Sequence, residues 1–502
     1  MEGRIKNAAL SSKIMTAEES AKLFTNNMIV GASGFTRGGD VKVVLKALAD
    51  RSLTEELKIT LVTGASLGHD TDGKLARNKS LNKRLPFQVD RSLREEINKG
   101  NVLFLDQHLS ETSEFLTNGT FKLDIGVLEV AEILEDGSLV PTTSVGNNVT
   151  IAENSEKLII EINTKIPTNI RGIHDIYSVG DYPRKPINIV ESSDRVGSDV
   201  IKIDPNKIIG IVFQDIQDMP GDIAPADENT TAIAQNIVKF LENEVSEGRL
   251  TKELKPLQCG IGKVANAVLG GLVDSDFENL TMYSEVFQDS TFDLIDSGKL
   301  TFASASSLTV SAECYDRVMN NINQYKDKIV LRPQNISNSP EVIKRLGIIA
   351  INTSLECDIY GNVNSTHVNG THMMNGIGGS GDFARNAYLS IFVTSSIAKN
   401  GDISSIVPMV THVDHSEHDV DVIVTEQGLA DLRGLAPRER AITIIENCVH
   451  PSYKDELLNY FTKASEERGG QTPHILEEAF FLHNRMRETG SMQNTIDKLM
   501  NV

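Results

Sequence analysis

The chain has 502 residues, of which 40% are hydrophobic and 24% are charged, the composition of an ordinary soluble globular protein. This length exceeds what one compact core usually holds, so we predict two α/β domains, residues 1–220 and 221–502. The formal net charge of −20 disfavours nucleic acid and anionic membranes as partners. An anionic ligand would need local basic groups or backbone amides to overcome the electrostatic repulsion by the negatively charged protein.

The N-terminal segment carries acidic residues early and lacks the apolar stretch of a secretory signal. No segment of the sequence reaches the length required to cross a bilayer. The four cysteines have no CxxC spacing and are typical of reduced thiols: Cys259, Cys314, Cys357 and Cys448. We therefore expect a cytoplasmic protein without a membrane partner.

Short β-branched segments, each ending at a polar or glycine-rich turn, recur along the chain. The predicted strands are 26–30, 58–63, 207–213, 256–259, 347–352, 389–396, 404–410 and 421–426. Continuous apolar strands of this kind are typical of mainly parallel sheets covered by helices. Residues 214–232 are rich in Pro, Gly and Asp and indicate the domain boundary, and the pattern after about residue 450 is charged and helical.

Four glycine-rich stretches are predicted to form strand-to-helix turns: GASGFTRGG (31–39), TGASLG (63–68), CGIGK (259–263) and NGIGGSGDF (375–383). Glycine lets the backbone approach a ligand closely, and amides at a helix N-terminus attract negative charge. None of the four matches a phosphate loop or a clean dinucleotide fingerprint, which disfavours a nucleotide-dependent oxidoreductase. Each turn alone is more often structural, but four in one chain favour a ligand cleft.

The segment MYSEVFQDS (282–290) places one glutamate, Glu285, between a strand and a helix. The strand pattern ends at Tyr283, a helical pattern begins at Phe287, and Gly298 is a helix stop signal. Open α/β sheets bind ligands at the carboxyl ends of their strands. On these residues alone, a solvated side chain at a helix N-terminus is the simpler interpretation of Glu285.

The histidine-rich stretch THVDHSEHD (411–419) contains several possible metal ligands. Its spacing matches no recognisable metal site, so we predict a polar hairpin loop and no metal. Cys259 adjoins a glycine turn, but no histidine is placed to activate it, and we predict a core position.

Longer segments carry a more specific signal: GIGKVANAVLGGL, MYSEVFQDS, NVNSTHVNGTHMMNGIGGSGDFARNAYLSIF and VTEQGLADLRGLAPRERA. Together they resemble the acetyl-CoA hydrolase/transferase family, most closely its succinyl-CoA:acetate CoA-transferase branch, over essentially the whole chain. The resemblance implies an α/β fold with two related open, mainly parallel sheet domains covered by helices and an active site at their interface. It also implies a homodimer that binds an acyl-CoA and a small carboxylate and has no tightly bound cofactor.

The resemblance assigns roles to individual residues. Glu285 would be the nucleophile, the backbone amides of Ile261 and Gly379 would bind the oxyanion, and Asn338 and Glu426 would position the nucleophile. Ser66 would lie near the small carboxylate. Contacts with CoA are implied for Gly260, Ile261, Gly262, Lys263, Val264, Asn375, Gly379 and Lys399.

The implied reaction exchanges CoA between succinyl-CoA and acetate through a glutamyl-CoA thioester. The chemistry supports a carboxylate nucleophile, because a carboxylate forms a mixed anhydride that CoA thiolate can attack, whereas a serine ester would dissipate the thioester energy. An acyl-CoA hydrolase with the same residues remains open, as do propionyl-CoA or butyryl-CoA as donors. A non-catalytic ligand-binding protein would keep the glycine turns but has no use for the glutamate at the strand end.

Overall fold

The computed structural model describes residues 3–221 and 225–494. The chain divides into two compact units, each built from several segments. The first unit comprises Met1–Ile223, Leu280–Leu346 and Asn375–Asp382, and the second comprises Ala224–Asn279, Gly347–Met374 and Phe383–Val502. The N-terminal segment of the first unit ends at Ile223, close to the predicted domain boundary at residue 220. The segment Leu280–Leu346, which contains Glu285, also belongs to the first unit and not to the second.

Residues 3–221 alternate strands and helices. In chain order they are α1 (Ala17–Ala21), β1 (Ile29–Ala32), α2 (Val44–Arg51), β2 (Ile59–Val62), α3 (Thr71–Arg77), β3 (Leu81–Leu85), α4 (Arg91–Asn98), β4 (Leu103–Phe104), α5 (Leu109–Thr117), β5 (Leu123–Val130), β6 (Glu132–Ile133), β7 (Leu139–Val140), α6 (Asn148–Asn154), β8 (Ser155–Asn163) and β9 (Ile208–Gln214).

These strands form a seven-stranded sheet in the order β4-β3-β2-β1-β5-β8-β9, in which each neighbouring pair is parallel. The buried side chains of β1, β2, β5 and β8 pack with those of α2, including Val30, Leu61, Ile125, Ile159 and Leu45. A parallel sheet buried on both faces explains the continuous apolar runs of the sequence. The predicted α/β class is confirmed.

The segment from residue 225 to 346 continues the alternation. Its elements are α7 (Glu228–Ser246), β10 (Leu257–Cys259), α8 (Lys263–Val273), β11 (Leu280–Tyr283), β12 (Val286–Phe287), α9 (Asp289–Asp296), β13 (Leu300–Ala305), β14 (Ser307–Leu308), α10 (Ala312–Asn320), α11 (Ile322–Tyr325), β15 (Ile329–Leu331), α12 (Gln334–Ser337) and α13 (Pro340–Leu346).

In the first unit, β11, β13 and β15 pair in parallel. The predicted strand end at Tyr283 and the helix stop at Gly298, where φ is +77°, are confirmed. Phe287 was wrongly predicted as helical. It lies in β12, which pairs with β14, because the helix begins only after Gln288, whose amide bonds the hydroxyl of Thr291.

The remaining elements are mostly in the second unit, which begins again within α14 at Phe383. They are β16 (Ile349–Thr353), β17 (Glu356–Asp358), β18 (Val363–Asn364), β19 (His367–Val368), β20 (His372–Met373), α14 (Ser380–Asn386), β21 (Leu389–Val393), β22 (Ile397–Ala398), β23 (Ile403–Ser404), β24 (Ile406–Val407), β25 (Val422–Thr425), β26 (Gly428–Asp431), α15 (Pro437–Cys448), α16 (Pro451–Glu467) and α17 (Phe481–Thr489).

The sheet of the second unit contains β10, β16, β21 and β25 in parallel, with β26 antiparallel to β25. Its core includes Phe392, Ile423, Ile444, Tyr453 and Leu457, from the strands and from α15 and α16. The helical character predicted after residue 450 is confirmed.

The strand predicted at 404–410 is only partly present. This segment contains the end of β23 and the whole of β24, which pairs with the short β17. Pro408 follows β24 and has no amide hydrogen to extend a ladder.

The stretch 411–419 is a loop, as predicted, but it is not a hairpin, because β24 and β25 pair in different sheets. Within residues 3–221 and 225–494, no group of three or more His, Cys, Asp or Glu side chains could hold a metal ion. All four cysteines are buried free thiols, and burial raises the pKa of Cys259 to about 12, as expected of a core thiol. None of the described helices combines the length and apolar character needed to cross a membrane.

Candidate active site

The backbone around Glu285 is anchored by the neighbouring strand. The amide of Ser284 donates to the carbonyl of Ser304 at 2.9 Å, which extends the pairing of β11 with β13. The carbonyl of Glu285 accepts hydrogen bonds from the amides of Ser306 and Ser307, at 2.8 and 3.2 Å. These bonds fix the Cα of Glu285 at the carboxyl end of β11, where open α/β sheets place their ligands.

The carboxylate of Glu285 has a specific partner. The side-chain amide of Asn338, which follows α12, donates from Nδ2 to Oε1 of Glu285 at 2.9 Å. Burial raises the pKa of Glu285 to about 7, and the bond from Asn338 moderates that rise. The interpretation of Glu285 as a solvated residue at a helix N-terminus is therefore wrong: α9 begins four residues later, and the side chain is only partly exposed and is hydrogen-bonded by Asn338.

Gly379 approaches this carboxylate more closely than any other residue type could. A methyl group on Gly379 would lie 1.7 Å from Oε1 of Glu285 and 2.2 Å from Nδ2 of Asn338. Both distances are far below a van der Waals contact, so only glycine fits without displacing the two side chains. The first unit thus brings together three residues to which the family resemblance gave catalytic roles.

The glycine-rich turn around Asn375 packs on the loop before α5. The amide of Ile377 donates to Oδ1 of Asp106 at 2.8 Å, and a methyl group on Gly376 would lie 2.9 Å from both Asp106 and the ring of Phe87. Oδ1 of Asn375 is buried and has no hydrogen-bond partner among the described residues. Its predicted contact with CoA stays a prediction.

Ser66 is a buried residue of the turn after β2, and its carbonyl accepts from the amide of Arg37 at 3.1 Å. The adjacent carbonyl of Ala65 accepts from the buried guanidinium of Arg84 at 3.0 Å, and Arg84 also pairs with Asp72. Hydrogen bonds from Arg37 and from the buried Arg84 therefore hold this turn in one conformation. The role of Ser66 toward a carboxylate substrate stays a prediction.

The segment Gly260–Val264 follows β10 in the second unit. The amide of Gly260 donates to the carbonyl of Ile351 at 2.9 Å, and Gly262 caps α8 with φ of +125°. Lys263 pairs with Asp227 at 2.5 Å, whereas the side chain of Ile261 is 46% exposed. The turn therefore presents an exposed apolar side chain at the N-terminus of α8, an eleven-residue helix.

Glu426 lies at the carboxyl end of β25 in the same unit. Its Oε2 accepts from the amide of Ser396 at 2.8 Å, and its Oε1 accepts from the Ser396 hydroxyl and from Gln427. Burial disfavours the ionised form of Glu426, but these hydrogen bonds outweigh burial, so its pKa lies below the usual value. Lys399 is exposed and has a left-handed backbone with φ of +49°.

The sequence interpretation missed a fourth residue of the first-unit site. Oδ2 of Asp382 lies 3.3 Å from Nδ2 of Asn338, and both carboxyl oxygens of Asp382 bind Ser110. Burial, with a smaller contribution from the nearby Glu285, raises the pKa of Asp382 to about 8. Asp382 stands within the glycine-rich motif GIGGSGDF, but that motif gives no indication that its carboxylate reaches Asn338.

Comparison with known proteins gives consistent matches along the chain. Residues 2–213 match the model of the acetyl-CoA hydrolase/transferase N-terminal domain, and residues 314–461 match that of the C-terminal domain of the same family. The chain is 50% identical over 496 residues to succinyl-CoA:acetate CoA-transferase from Clostridium kluyveri, which covers 98% of this chain and 92% of that protein. It is 45% identical over 516 aligned positions to acetyl-CoA hydrolase from Schizosaccharomyces pombe, with 98% of each protein covered.

The crystal structure of RipA from Yersinia pestis has a similar fold. It matches with a TM-score of 0.70 at 22% identity and covers 92% of this chain and 98% of that chain. At this identity the likeness concerns the fold alone.

Proposed function

The chain belongs to the acetyl-CoA hydrolase/transferase family, and on this premise we propose that it exchanges CoA between succinyl-CoA and acetate with Glu285 as the nucleophile. The observation that carries the proposal is the contact of the partly buried Glu285 carboxylate with the Asn338 amide, beside a glycine that admits no side chain. A carboxylate held in this way is oriented for attack before the substrate binds.

In the first half of the reaction, an oxygen of the Glu285 carboxylate attacks the thioester carbonyl carbon of succinyl-CoA. The carbon–sulfur bond breaks, CoA leaves as a thiolate, and Glu285 carries the succinyl group as a mixed anhydride. The thiolate then attacks the carbonyl carbon of Glu285 and releases succinate, which leaves a glutamyl-CoA thioester. Acetate repeats these steps in reverse and leaves as acetyl-CoA.

When the CoA thiolate attacks the carbonyl carbon of Glu285, the tetrahedral intermediate carries its negative charge on the carboxyl oxygen of Glu285 itself; when Glu285 attacks an acyl group, the charge lies on the neighbouring substrate oxygen. Nδ2 of Asn338 already donates to Oε1, so it is in position to stabilise charge that develops on this atom. We assign the second donor to the backbone amide of Gly379, because a methyl group on this glycine would lie against the same oxygen. The pKa of about 7 leaves Glu285 substantially ionised at neutral pH while making it a stronger nucleophile than an exposed glutamate.

We assign CoA binding to Gly260–Val264, Asn375 and Lys399 on the basis of the family resemblance. The amides at the N-terminus of α8 suit a phosphate or an oxyanion, and the exposed side chain of Ile261 suits the apolar part of the pantetheine arm. Lys263 is paired with Asp227, so in this role it would exchange one anionic partner for another. Glu426 and Ser66 are assigned to positioning the nucleophile and the carboxylate substrate, respectively.

Hydrolysis of acyl-CoA is the second candidate, because the 45% identical relative from Schizosaccharomyces pombe is named an acetyl-CoA hydrolase. Water would then attack the glutamyl-CoA thioester in place of acetate. Purified protein incubated with succinyl-CoA, with and without acetate, separates the two functions. Acetyl-CoA formed only with acetate supports transfer, whereas free CoA released at the same rate without acetate supports hydrolysis, and propionyl-CoA and butyryl-CoA test the donor range.

The active form proposed for this enzyme is a homodimer without a tightly bound cofactor. Light scattering at micromolar concentration should give twice the mass of the 55.0 kDa chain. A single-chain mass at that concentration would contradict the dimer without affecting the assignment of Glu285.

A further inference from the structure

The amide group of Asn338 lies between two carboxyl groups. Its Nδ2 is 2.9 Å from Oε1 of Glu285 and 3.3 Å from Oδ2 of Asp382, so each of its two hydrogens has an acceptor. Asn338 is fully buried, and its Oδ1 has no hydrogen-bond partner among the described residues. The direction of this amide is therefore set from the Nδ2 side, by Glu285 and Asp382.

Asp382 is itself held in place by α5. Its Oδ2 accepts from the amide of Ser110 at 3.1 Å, and its Oδ1 accepts from the Ser110 hydroxyl at 2.6 Å. The backbone of Asn338 is fixed as well, because its amide donates to the carbonyl of Gln334 at 2.8 Å. The side chain of Asn338 could still rotate about its own bonds, and the contact with Asp382 restricts this rotation.

We propose that Asp382 is a positioning residue, which acts through Asn338 to keep Nδ2 directed at the Glu285 carboxyl group during the whole catalytic cycle. This inference rests on the proposed function. In the resting protein, two carboxyl groups hold the amide. When Glu285 becomes an anhydride or a thioester, it loses its negative charge, and Asp382 remains as the carboxyl group that opposes rotation.

The consequence of losing this restraint follows from the chemistry of the amide. A half-turn of the Asn338 side chain would place Oδ1 next to the developing oxyanion, and two negative oxygens would repel where a donor is required. The raised pKa of Asp382 does not remove the restraint, because a protonated carboxyl group can donate to Ser110 from one oxygen and still accept from Asn338 at the other.

A double-mutant cycle tests the proposal in the full-length protein. The variants are Asp382→Ala, Asn338→Ala and their combination, assayed for succinyl-CoA:acetate exchange. Asp382→Ala should lower kcat about tenfold or more, with KM for succinyl-CoA changed less than about threefold, because a small misplacement at a reacting group is costly. The combined variant should be no slower than Asn338→Ala, because a residue that acts through Asn338 has no effect once Asn338 is gone.

Two further variants separate positioning from folding. Asp382→Asn keeps an oxygen that can accept from Asn338 and should recover most of the activity lost in Asp382→Ala. Ser110→Ala removes one bond to Asp382 and should give a smaller loss that also disappears in the Asn338→Ala background. Asp106→Ala, which loosens the same turn at Ile377, is the matched control. The fold-losses of Asp106→Ala and Asn338→Ala should multiply in the combined variant.

The outcomes are distinct. Unchanged kcat in Asp382→Ala, multiplicative losses in the combined variant, or no recovery in Asp382→Asn would each overturn the positioning role while leaving the proposed function in place. If Asp382→Ala does not fold, Asp382→Asn and Ser110→Ala are each combined with Asn338→Ala instead. A loss of activity that disappears in the Asn338→Ala background supports the positioning role, and a loss that multiplies overturns it. Wild-type protein without CoA exchange would instead overturn the proposed function, and this inference with it.

Discussion

Gly379 and Glu285 are in such close contact that a single added methyl group would lie 1.7 Å from the carboxylate oxygen Oε1. This distance is about half of a normal nonbonded contact. A side chain at position 379 must therefore move Glu285, Asn338 or the turn that contains Gly379.

We expect Gly379→Ala to lower CoA exchange by about a hundredfold, because displacing a nucleophile by about 1 Å costs this much. Gly270→Ala is the matched control: apart from its own helix backbone and its two chain neighbours, no described atom lies within 4 Å of the added methyl group, and Gly270 is in the middle of α8. The initial rate of acetyl-CoA formation from succinyl-CoA and acetate measures both variants. A normal rate in Gly379→Ala would show that this contact is not required for the reaction.

The second prediction concerns pH. Burial raises the pKa of Glu285 to about 7, and the protonated carboxyl group is a poor nucleophile. The value of kcat/KM for succinyl-CoA should therefore rise about tenfold per unit on the acid side and level off near pH 7. Removing the Asn338 bond removes an interaction that lowers this pKa, so Asn338→Ala should move the acid limb to higher pH.

The measurement is kcat/KM at saturating acetate across pH 5 to 9, roughly the range over which such a group titrates. An acid limb centred near pH 4.3, about the pKa of an exposed glutamate, would contradict the raised pKa of Glu285. An acid limb that moves to lower pH in Asn338→Ala would contradict the sign of the Asn338 contribution.

Part of this site was predictable from local sequence. The apolar residues Leu280, Met282 and Tyr283 indicate a strand, and Gly298 indicates the end of the next helix, so the position of Glu285 at a strand end follows from neighbours in the chain. The roles of Asn338 and Gly379 came from the family resemblance. Asn338 and Gly379 are 53 or more positions from Glu285 in the chain, so local sequence patterns cannot predict their contacts with it.

Other features could not be predicted for physical reasons. β5 and β8 are the longest strands of the first unit, but acidic residues interrupt their apolar pattern. Glu129 and Glu161 on these strands are fully buried because Lys42 and three backbone amides satisfy them. Segments 280–346 and 375–382 belong to the first unit because they pack against segments that are distant in the chain. No linker-like composition in the sequence marks the points where the chain changes unit.

A third prediction concerns the stability that this buried charge cluster provides. Nζ of Lys42 lies 3.2 Å from Asp40, 2.5 Å from Glu129 and 2.9 Å from Asp218, and its side chain is completely buried. Burial disfavours the charged amine, but the three carboxylates outweigh burial and raise its pKa well above the usual value. Lys42→Met should lower the free energy of unfolding by about 3–5 kcal/mol, because it leaves buried carboxylates without a counter-ion.

Lys74→Met is the matched control, because Lys74 pairs with the exposed Asp50 at the surface of the same unit. Urea denaturation followed by circular dichroism should show a change of less than about 1 kcal/mol for this variant. Equal effects of Lys42→Met and Lys74→Met would contradict the importance of the buried cluster.

The last prediction concerns Glu285 itself. If its carboxylate attacks the thioester, the protein should be captured carrying CoA as a glutamyl thioester. Incubation with succinyl-CoA followed by borohydride should reduce this thioester to an alcohol and inactivate the protein irreversibly. Peptide mass mapping should place the modification at Glu285, and protein treated with borohydride alone should stay active and unmodified.

Substitutions of Glu285 test the same step kinetically. Glu285→Ala should lower exchange by several powers of ten, on the order of the loss seen when a covalent nucleophile is removed and only binding and oxyanion contributions remain. Glu285→Asp should also be severely impaired, because a side chain shortened by about 1.5 Å withdraws the attacking oxygen from its near-attack position. Glu313→Ala, at an exposed position in α10, is the matched control and should exchange CoA at the wild-type rate. Near-normal exchange in Glu285→Ala, or a borohydride modification at another residue, would mean that the carboxylate held by Asn338 is not the nucleophile.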